Sequence, residues 1–297
     1  MKIIKRVLPS GSAVSERVST KYLQQTSDGF VVEATYIRRP EKHTLCVSTQ
    51  VGCAVGCKFC ASGLRNERML YQRSLTSAEM IKECCNITSE MDFTTHSKPL
   101  TLAFMGEGEP FLNFEECVKA FYFLAAMEWP VPMQISVSTS GVRPNLIRRL
   151  GEIALPVRLK LHVSLHGPND TVRSRIVPIT KPLVEIVAAT RAYQERCGRP
   201  VIWNYVLCAG VNDELEHAEQ LVKLLGPDWH VKFTRLNLTS GSPFCPTPRE
   251  QVERFRRILE LGGLFTTYSE TDESGIGSGC GQLSYDYAQQ DGNSRED

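Results

Sequence analysis

The chain has 297 residues, a formal net charge of +1, 42% hydrophobic residues and 23% charged residues. These proportions are those of an ordinary globular protein of one large domain or at most two, and the near-neutral charge does not by itself indicate a nucleic-acid binder. Because no run reaches the length of a bilayer span and the N-terminus lacks a signal-peptide core, we expect a cytoplasmic protein without a membrane partner.

The N-terminal part of the chain predicts an extension followed by two strands. Residues 1–28 show little periodicity and are expected to form an arm. Residues 29–38 are rich in β-formers, and residues 43–49 predict a second strand that could pair with the first as a hairpin. We expect the main domain to cover residues 29–285, with a polar tail at 286–297.

Strands and helices then alternate along the chain. The turn at Thr76 resembles a helix N-cap, residues 100–105 form an apolar run typical of a buried strand, and residues 113–127 predict an amphipathic helix. Further strands are predicted at 134–138, 157–164, 201–207, 230–236 and 264–268, and helices near 144–151, 181–196, 213–225 and 248–261.

This alternation predicts an α/β fold with parallel strands and right-handed crossovers. About six strand–helix units follow the second strand, fewer than the eight that close a full barrel. We therefore expect an incomplete β/α barrel with a lateral opening and a small N-terminal strand extension. Its functional groups should lie at the carboxyl ends of the strands.

Three thiols, Cys53, Cys57 and Cys60, lie on one short loop at the spacing C-x3-C-x2-C. Thiolates are the usual ligands of iron–sulfur clusters, and three ligands on a four-iron cluster leave one iron open. An open position is typical of a catalytic metal, and S-adenosylmethionine is the ligand expected there. The next thiol, Cys46, lies on the preceding strand and is a poor fourth ligand. A partial zinc site with His43, or a chance cysteine cluster, is the alternative interpretation.

Several polar groups directly follow predicted strands. They are Gly108 and Glu109 in Gly-Glu-Gly-Glu-Pro, Ser138 in Ser-Thr-Ser-Gly, Ser164, Leu165 and His166 in Ser-Leu-His, and Asn237. Glycines allow a ligand to approach the backbone, and carboxylates or hydroxyls there can bind an ammonium or a ribose. Taken singly, each of these motifs can also be interpreted as an ordinary turn or a helix cap without a ligand.

Two further residues stand apart from these motifs. Cys280 is flanked by glycines near the C-terminus, and such thiols are unusual in a reducing compartment unless they react; a tolerated loop cysteine is the alternative. Glu33 is a carboxylate in the middle of an apolar strand. Strand alternation would direct its side chain to solvent, and we take that as the default expectation.

Together these motifs resemble one family, the radical S-adenosylmethionine RNA methyltransferases known as RlmN/Cfr, which methylate adenosine. The resemblance runs from about residue 29 to residue 287. It is carried by Thr-Leu-Cys46-Val-Ser-Thr-Gln-Val-Gly-Cys53, the cysteine loop, the strand-end motifs and the terminal Cys280-Gly-Gln-Leu. The cysteine loop alone indicates only the radical S-adenosylmethionine superfamily. Cys46 together with Cys280-Gly-Gln-Leu makes the resemblance specific to the RlmN/Cfr family.

The resemblance implies a role for each motif. Cys53, Cys57 and Cys60 would hold a 4Fe-4S cluster, and the strand-end residues would line the S-adenosylmethionine site. Cys280 would carry a methyl group from a first S-adenosylmethionine, and a second one would generate a radical on that group, which adds to an adenine ring carbon. Cys46 would resolve the adduct through a disulfide with Cys280, and Glu33 would remove the ring proton. The implied partners are ribosomal or transfer RNA and an electron donor such as flavodoxin or ferredoxin, with the protein acting as a monomer.

Three departures from the family pattern limit these expectations. Only a short arm precedes the matching part, where family members usually carry a domain for RNA contact. The approach to Cys280 lacks the usual charged residues, and the surroundings of Asn237 differ. The alternatives are a radical enzyme acting on another substrate or ring carbon, and a non-catalytic iron–sulfur regulator.

Overall fold

The computed structural model describes residues 1–8, 18–64, 71–93, 97–179, 181–239 and 241–269, together with Leu283, Ser284 and Tyr287. The strands are β1 Lys2–Val7, β2 Val18–Gln25, β3 Val31–Arg39, β4 Lys42–Val47, β5 Gln50–Gly52, β6 Tyr71–Ser74, β7 Leu100–Phe104, β8 Met133–Thr139, β9 Arg158–Ser164, β10 Val201–Val206, β11 His230–Thr234 and β12 Phe265–Ser269. The helices are α1 Ser77–Thr88, α2 Phe114–Ala126, α3 Pro144–Leu150, α4 Asp170–Ile176, α5 Leu183–Cys197, α6 Leu215–Leu225 and α7 Arg249–Leu261.

One ten-stranded sheet organises the described residues, in the order β1-β2-β3-β4-β7-β8-β9-β10-β11-β12. Strands β1 to β4 pair antiparallel, and from β4 onward every neighbouring pair is parallel. Helices connect the parallel strands, which gives the six strand–helix units predicted. Within the described residues β1 and β12 form opposite edges of this sheet, so the barrel is partial, as the sequence predicted.

The N-terminal segment contributes more to the sheet than its sequence predicted. Residues 1–28 were expected to form an arm, yet β1 and β2 lie within them, and β2 pairs with β3 along its whole length. Periodicity missed β1 because that strand is short and largely exposed. The division of the chain at residues 28 and 285 stays a prediction.

Helix α4 was also absent from the elements predicted from the sequence. It has seven residues and begins after Asn169, whose side chain accepts a hydrogen bond from the N–H of Val172 over 3.0 Å. Such a helix is too short to show a periodic pattern. The N-cap predicted at Thr76 is present as a capping box, because Thr76 and Glu79 each bond the other's backbone N–H.

The two faces of the parallel sheet differ in polarity. Leu45, Leu102, Ile135 and Leu159 are in register on neighbouring strands, and all are fully buried. Helices cover this face: Phe104 of β7, for example, lies edge-to-face on Phe121 of α2, with 4.7 Å between ring centroids. Burial of such apolar area stabilises the fold at about 25 cal/mol per Å².

The opposite face carries polar residues. One register row there runs from Cys46 through Ala103 and Ser136 to Lys160. Since the helices lie on the apolar face, this polar face lines the interior of the partial barrel. No helix in the described part of the chain has the length and apolarity to cross a membrane.

Candidate active site

The three loop cysteines follow β5 and are partly buried. The loop is closed by backbone hydrogen bonds, from the N–H of Cys60 to the carbonyl of Cys57 over 3.1 Å and from Gly63 to Cys60 over 2.9 Å. Burial raises the pKa of the Cys53 thiol to about 12, and burial together with the neighbouring Cys60 and Cys53 raises the pKa of Cys57 well above its usual value. Burial therefore disfavours the thiolate forms of these cysteines, and a bound cationic group would be needed to stabilise them as thiolates.

In the described residues no three His, Cys, Asp or Glu side chains are grouped as ligands of a single metal ion. Three cysteines on one loop suit an iron–sulfur cluster, because thiolates are the usual protein ligands of such clusters. The zinc interpretation, with His43, also fails because His43 is buried in β4 and stacks on Tyr36, to which its Nδ1 is hydrogen-bonded over 2.7 Å.

A buried guanidinium lies against this loop. Arg173 of α4 is 0% exposed and donates to the carbonyls of Leu165 (2.9 Å), Ser164 (3.2 Å) and Ser140. Burial lowers its pKa to about 10, and Cys57 opposes that shift, so the arginine stays charged near the cluster loop at neutral pH.

One nitrogen of this guanidinium, Nη1, is buried with no acceptor among the described residues. An orphaned buried N–H is costly unless a bound group satisfies it. An anion such as the carboxylate of S-adenosylmethionine or a cluster sulfide would do so, and the residues present therefore fit both cofactors.

Glycine is required in the turn after β7. Gly108 has φ +104°, and a Cβ there would lie 2.7 Å from the side chains of Gln50 and Thr49. This close approach orients the next residue, Glu109, which is 4% exposed.

The carboxylate of Glu109 accepts three hydrogen bonds. The donors are the N–H of Phe111 (3.0 Å), the hydroxyl of Thr139 (2.7 Å) and the N–H of Ser140 (2.7 Å). Burial raises the pKa of Glu109, and these hydrogen bonds oppose the rise. The Gly-Glu-Pro turn and the Ser-Thr-Ser-Gly turn are thus joined through one carboxylate.

The other strand-end residues lie at the same end of the sheet. Ser138 is half-buried on β8, Ser164 is the last residue of β9, and Leu165 and His166 follow it, both buried. Asn237 lies three residues beyond the end of β11, which stops at Thr234, before the predicted 236. The adjacent Leu236 packs in the same cluster as Val55 of the cysteine loop.

His166 is held in one orientation and one tautomer. Its φ is +54°, and its Nδ1 accepts the N–H of Val206 over 3.1 Å, which leaves Nε2 as the protonated nitrogen. Burial lowers its pKa to about 3, so the ring is neutral. Phe59 of the cysteine loop lies edge-to-face on it, with 4.9 Å between centroids.

Glu33 is not exposed, so the default expectation for this residue was wrong. It is 3% exposed, and its Oε1 lies 2.6 Å from the ammonium of Lys21 on the paired strand β2. The solvent prediction failed because Lys21 of β2 and the backbone of Leu283 and Ser284 lie against this side chain. Thr35, two residues along β3, is in register with Cys46, so Glu33 and Cys46 are diagonal neighbours on one face.

Cys280 lies outside the described residues. The nearest described positions after it, Leu283 and Ser284, reach the site: their N–H groups donate to Glu33 Oε2 over 2.7 and 3.3 Å. The hydroxyl of Ser284 also donates to Glu107 Oε1, in the turn after β7. Leu283 and Ser284 are thereby joined to β3 and to the turn after β7.

Sequence reasoning did not find Lys21, Arg173 or Glu107. Each is a charged residue with under 2% exposure. Each bonds a residue of another element: Lys21 bonds Glu33 of β3, Arg173 bonds the turns after β8 and β9, and Glu107 bonds Ser284. A charged residue is normally expected to face solvent, so the sequence did not indicate that these three are buried. The one signal that could have pointed to Lys21 is its place in a segment that forms an interior strand of the sheet.

Basic groups continue along the interior face. Lys160 and Arg158 of β9 and Lys232 of β11 lie on it, and Lys232 is in register with Asn204. Burial and the nearby cations Arg158 and Lys42 lower the pKa of Lys160. A face with clustered cations and hydroxyls suits a polyanionic substrate, although the net charge of the chain is only +1.

Comparison with known proteins agrees with this geometry. A family profile described as "Radical SAM superfamily" matches residues 47–225. The proteins called "Probable dual-specificity RNA methyltransferase RlmN" from Symbiobacterium thermophilum and Geobacillus kaustophilus are 37% and 34% identical to this chain over 271 residues, covering 89% of it and 71% of each relative.

Solved structures show the same fold. A radical SAM methyltransferase from Sphaerobacter thermophilus superimposes with a TM-score of 0.81 at 36% identity, covering 95% of this chain and 80% of that one. Spore photoproduct lyase with a dinucleoside spore photoproduct gives a TM-score of 0.56 at 11% identity, with 76% of each chain covered. The second likeness concerns the fold alone.

Proposed function

Because this chain belongs to the RlmN family of the radical S-adenosylmethionine superfamily, we propose that it methylates a ring carbon of adenine in RNA through a methyl group carried on Cys280. It is an S-adenosylmethionine-dependent RNA methyltransferase, with a 4Fe-4S cluster and S-adenosylmethionine as cofactors. The carrier, the ring carbon and the role of each residue are our proposal.

The residues that would hold the cofactors are the three loop cysteines for the cluster and the strand-end groups for S-adenosylmethionine. Glu109 would receive the ammonium, while Gly108, Ser138, Ser164, Leu165, His166 and Asn237 would line the rest. When bound, these cofactors supply the one-electron chemistry needed at a ring carbon that is too weak a nucleophile for direct methyl transfer.

The observation that carries the proposal is the hydrogen bond from the N–H of Leu283 to the Glu33 carboxylate over 2.7 Å. This contact supports the proposal because Leu283 follows Cys280 by only three residues in the sequence and Glu33 is the diagonal neighbour of Cys46. This agrees with the roles that the family resemblance implies for all three residues.

In the proposed reaction each of these residues has one task. Cys280 gives up its thiol proton and accepts a methyl group from S-adenosylmethionine. The bound cofactors would remove one hydrogen atom from this methyl group, so that its carbon can join the adenine ring, and would take back one electron from the adduct. Glu33 takes the proton from the ring carbon as that electron leaves. Cys46 then attacks the sulfur of Cys280, so a disulfide forms as the sulfur–carbon bond breaks and the released carbon takes up a proton.

The proposed partners follow from this chemistry. The substrate would be ribosomal or transfer RNA, supported by the cations of the interior face, and a low-potential donor such as flavodoxin or ferredoxin would supply electrons. A dithiol that must be reduced after each turnover suits the cytoplasm, where we propose that the protein acts as a monomer.

The test compares RNA from a strain lacking the gene with RNA from strains that express wild-type, Cys280→Ala or Cys245→Ala protein. Nucleoside mass spectrometry should show a methyladenosine that is lost with the gene and with Cys280→Ala. It should return with wild-type protein and with Cys245→Ala, which changes an exposed thiol. An unchanged methyladenosine in the Cys280→Ala strain would contradict the carrier role.

The same RNA comparison, together with an assay of S-adenosylmethionine cleavage by the purified protein, separates the alternative functions. A radical enzyme acting on another substrate would leave methyladenosine unchanged on deletion while the purified protein still cleaves S-adenosylmethionine after reduction. A non-catalytic regulator would show no such cleavage.

A further inference from the structure

Arg173 is a buried cation with one unsatisfied nitrogen. Its guanidinium is planar, and Nε and Nη2 share one edge of that plane. This edge faces the ends of β8 and β9, where Nε donates to the carbonyl of Leu165 over 2.9 Å and Nη2 donates to the carbonyls of Ser164 and Ser140. Nη1 lies at the opposite edge and is buried without an acceptor among the described residues.

The positive charge of Arg173 is also without an anion bonded to it in the described part of the chain. Its three hydrogen-bond acceptors are all neutral carbonyl groups. A buried charge is costly unless an opposite charge and hydrogen bonds compensate for it, and a guanidinium does not lose its proton in a protein. An anionic group bound at the free edge would supply both the missing acceptor and the missing charge.

Helix α4, which carries Arg173, packs on the cysteine loop. The N–H of Lys58 in the loop donates to the carbonyl of Ile176 over 3.0 Å, and Ile176 follows Arg173 by three residues, about one helical turn. Ile176 also packs with Val55 of the loop in one apolar cluster. Among the negative groups that attract the guanidinium, Cys57 acts on it most strongly. The cysteine loop is therefore where an anion would meet Arg173.

The position of this cation is fixed at both ends of the side chain. A Cβ added at Gly167 would lie 2.7 Å from the backbone N and Cα of Arg173, so the turn after β9 and helix α4 are in close contact. The side chain of Asn169 caps the helix by accepting the N–H of Val172 over 3.0 Å. The three carbonyls hold the guanidinium itself. A charge held in this way acts on a neighbouring group without first having to reorient.

We propose that Arg173 raises the reduction potential of the 4Fe-4S cluster, through its fixed positive charge and through a hydrogen bond from Nη1 to a sulfur of the cluster. This inference rests on the proposed binding of the cluster by Cys53, Cys57 and Cys60. Reduction adds one electron from the proposed low-potential donor, so the bound cluster becomes more negative by one charge. A nearby cation and N–H donor stabilise that form more than the oxidised one, because net charge and hydrogen bonds to the sulfurs set the potential of such clusters.

The first test measures the reduction potential in the absence of S-adenosylmethionine and RNA. Wild-type protein, Arg173→Met, Arg173→Lys and Arg175→Met are reconstituted anaerobically, and the electron paramagnetic resonance signal of the reduced cluster is followed against applied potential. Only loaded protein gives this signal, so incomplete loading of a variant does not move the midpoint. In Arg173→Met the equilibrium constant for reduction should fall roughly tenfold or more, and tenfold corresponds to about 59 mV toward negative potential for one electron.

Two variants serve as comparisons. Arg173→Lys keeps the charge but loses the planar set of donors, so its midpoint should lie between those of wild type and Arg173→Met. Arg175→Met removes an exposed charge from the same helix, which solvent screens, and should keep the wild-type midpoint. A wild-type midpoint in Arg173→Met, or an equal shift in Arg175→Met, would overturn the proposal. A wild-type midpoint in Arg173→Met together with weaker S-adenosylmethionine binding would overturn it in favour of a bond from Nη1 to the carboxylate of that cofactor.

The second test detects the hydrogen bond itself and does not require Arg173→Met to fold. Protein grown with ¹⁵N-labelled arginine is reduced and studied by electron–nuclear double resonance. A guanidinium nitrogen bonded to a cluster sulfur should give a ¹⁵N coupling in wild type and in Arg175→Met that is lost in Arg173→Lys. The absence of this coupling in wild type, or the same coupling in Arg173→Lys, would overturn the hydrogen bond.

Failure of the proposed function would give a different result from failure of this inference. If reconstituted wild-type protein formed no 4Fe-4S cluster, the proposed cluster ligands would be refuted and the role of Arg173 with them. A cluster that forms in wild type and has the same potential in Arg173→Met would refute the role of Arg173 alone.

Discussion

Glu109 Oε2 accepts the backbone N–H of Ser140 over 2.7 Å, which joins the turn after β7 to the turn after β8. The same carboxylate accepts from Thr139 and Phe111 through Oε1. Two strand-end motifs therefore have fixed relative positions before any ligand binds. Such preorganisation reduces the cost of ordering a site when its ligand arrives.

Glu109→Gln tests this connection. Both oxygens of Glu109 accept from N–H groups, so whichever way the new amide turns, its NH2 faces another donor. We expect the free energy of unfolding to fall by roughly 1.5–3 kcal/mol, as for loss of a hydrogen bond to a charged group, and S-adenosylmethionine affinity to fall as well. Urea unfolding and equilibrium dialysis with reconstituted protein measure the two effects. Glu115→Gln, on the exposed side of α2, is the control and should change neither.

Arg173→Met tests the buried guanidinium. The substitution leaves the carbonyls of Leu165, Ser164 and Ser140 without their donor, and we expect a loss of roughly 3 kcal/mol or more in stability. Iron bound per chain after anaerobic reconstitution should also fall, because the cation beside the cluster loop is gone. Arg173→Lys keeps the charge without the planar fork and should be intermediate. Arg175→Met changes an exposed residue on the same helix, and an equal effect there would contradict a specific role for Arg173.

Gly108→Ala tests the close approach in the turn after β7. Two glycines with positive φ form a matched pair: a Cβ added at Gly198, where φ is +64°, would have no neighbour within 4 Å, whereas one added at Gly108 would meet Gln50 and Thr49 at 2.7 Å. Gly198→Ala should cost about 1–2 kcal/mol through backbone strain alone. Gly108→Ala should cost roughly 3 kcal/mol more and lower S-adenosylmethionine affinity. Equal losses of stability in Gly108→Ala and Gly198→Ala, measured by urea unfolding, would show that the contact with Gln50 and Thr49 adds nothing to the cost of backbone strain.

His162 makes stability depend on pH. It is 8% exposed on β9, its Nδ1 lies 3.3 Å from Asn204 Oδ1, and burial lowers its pKa to about 4. The unfolded chain takes up a proton near pH 6.5 that the folded chain does not, so this contribution is complete above that pH and is lost as pH falls toward 4. The loss is about 3 kcal/mol at most.

Urea unfolding at pH 7 and pH 5 should therefore show a smaller pH dependence in His162→Gln than in wild type. Asn204→Asp places a carboxylate beside the ring, which raises the pKa of His162 and should reverse the sign of its contribution. If the free energy of unfolding changes with pH in both variants as it does in wild type, other groups cause the pH dependence.

Lys160→Gln tests the interior face as an RNA surface. Lys160 lies in the same register row as Cys46, with Ser136 and Ala103 between them. If it contacts a phosphate, its loss should weaken RNA binding and reduce the slope of log Kd against log salt by about 1. Lys223→Gln changes an exposed lysine on α6 and should leave affinity and slope unchanged. A Lys160→Gln slope equal to wild type would exclude a phosphate contact there.

Much of the architecture was predictable from local patterns. The apolar run at 100–105, the capped helix at 113–127 and the strand–helix alternation after it correspond to β7, α2 and the later units, with boundaries within about two residues. Strands β1, β5 and β6 and helix α4 were missed because short or exposed elements show too little periodicity to be recognised. Strand β2 was missed because its sequence, VSTKYLQQ, has few apolar residues. The spacing of Cys53, Cys57 and Cys60 could be recognised because these residues are neighbours in the chain, and their role as cluster ligands stays a prediction.

The surroundings of Glu33 were not predictable in this way. Alternation within one strand says only that neighbouring side chains point to opposite faces; it does not say which face another segment covers. Lys21 comes from β2 and the N–H groups of Leu283 and Ser284 come from the other end of the chain, so the burial of Glu33 depends on pairings that no local pattern encodes.

The sequence by itself therefore determined the class of fold and the family, since strand–helix alternation and short motifs are read from residues close together in the chain. That Cys53, Cys57 and Cys60 hold the cluster stays a prediction. Tertiary structure decided which charged residues are buried and which of them meet: Arg173 beside the cluster loop, and Lys21, Glu107 and Ser284 around Glu33. The physical reason is that desolvation and pairing of charges depend on the distance between atoms in space, and the sheet brings together groups that are up to 251 residues apart along the chain.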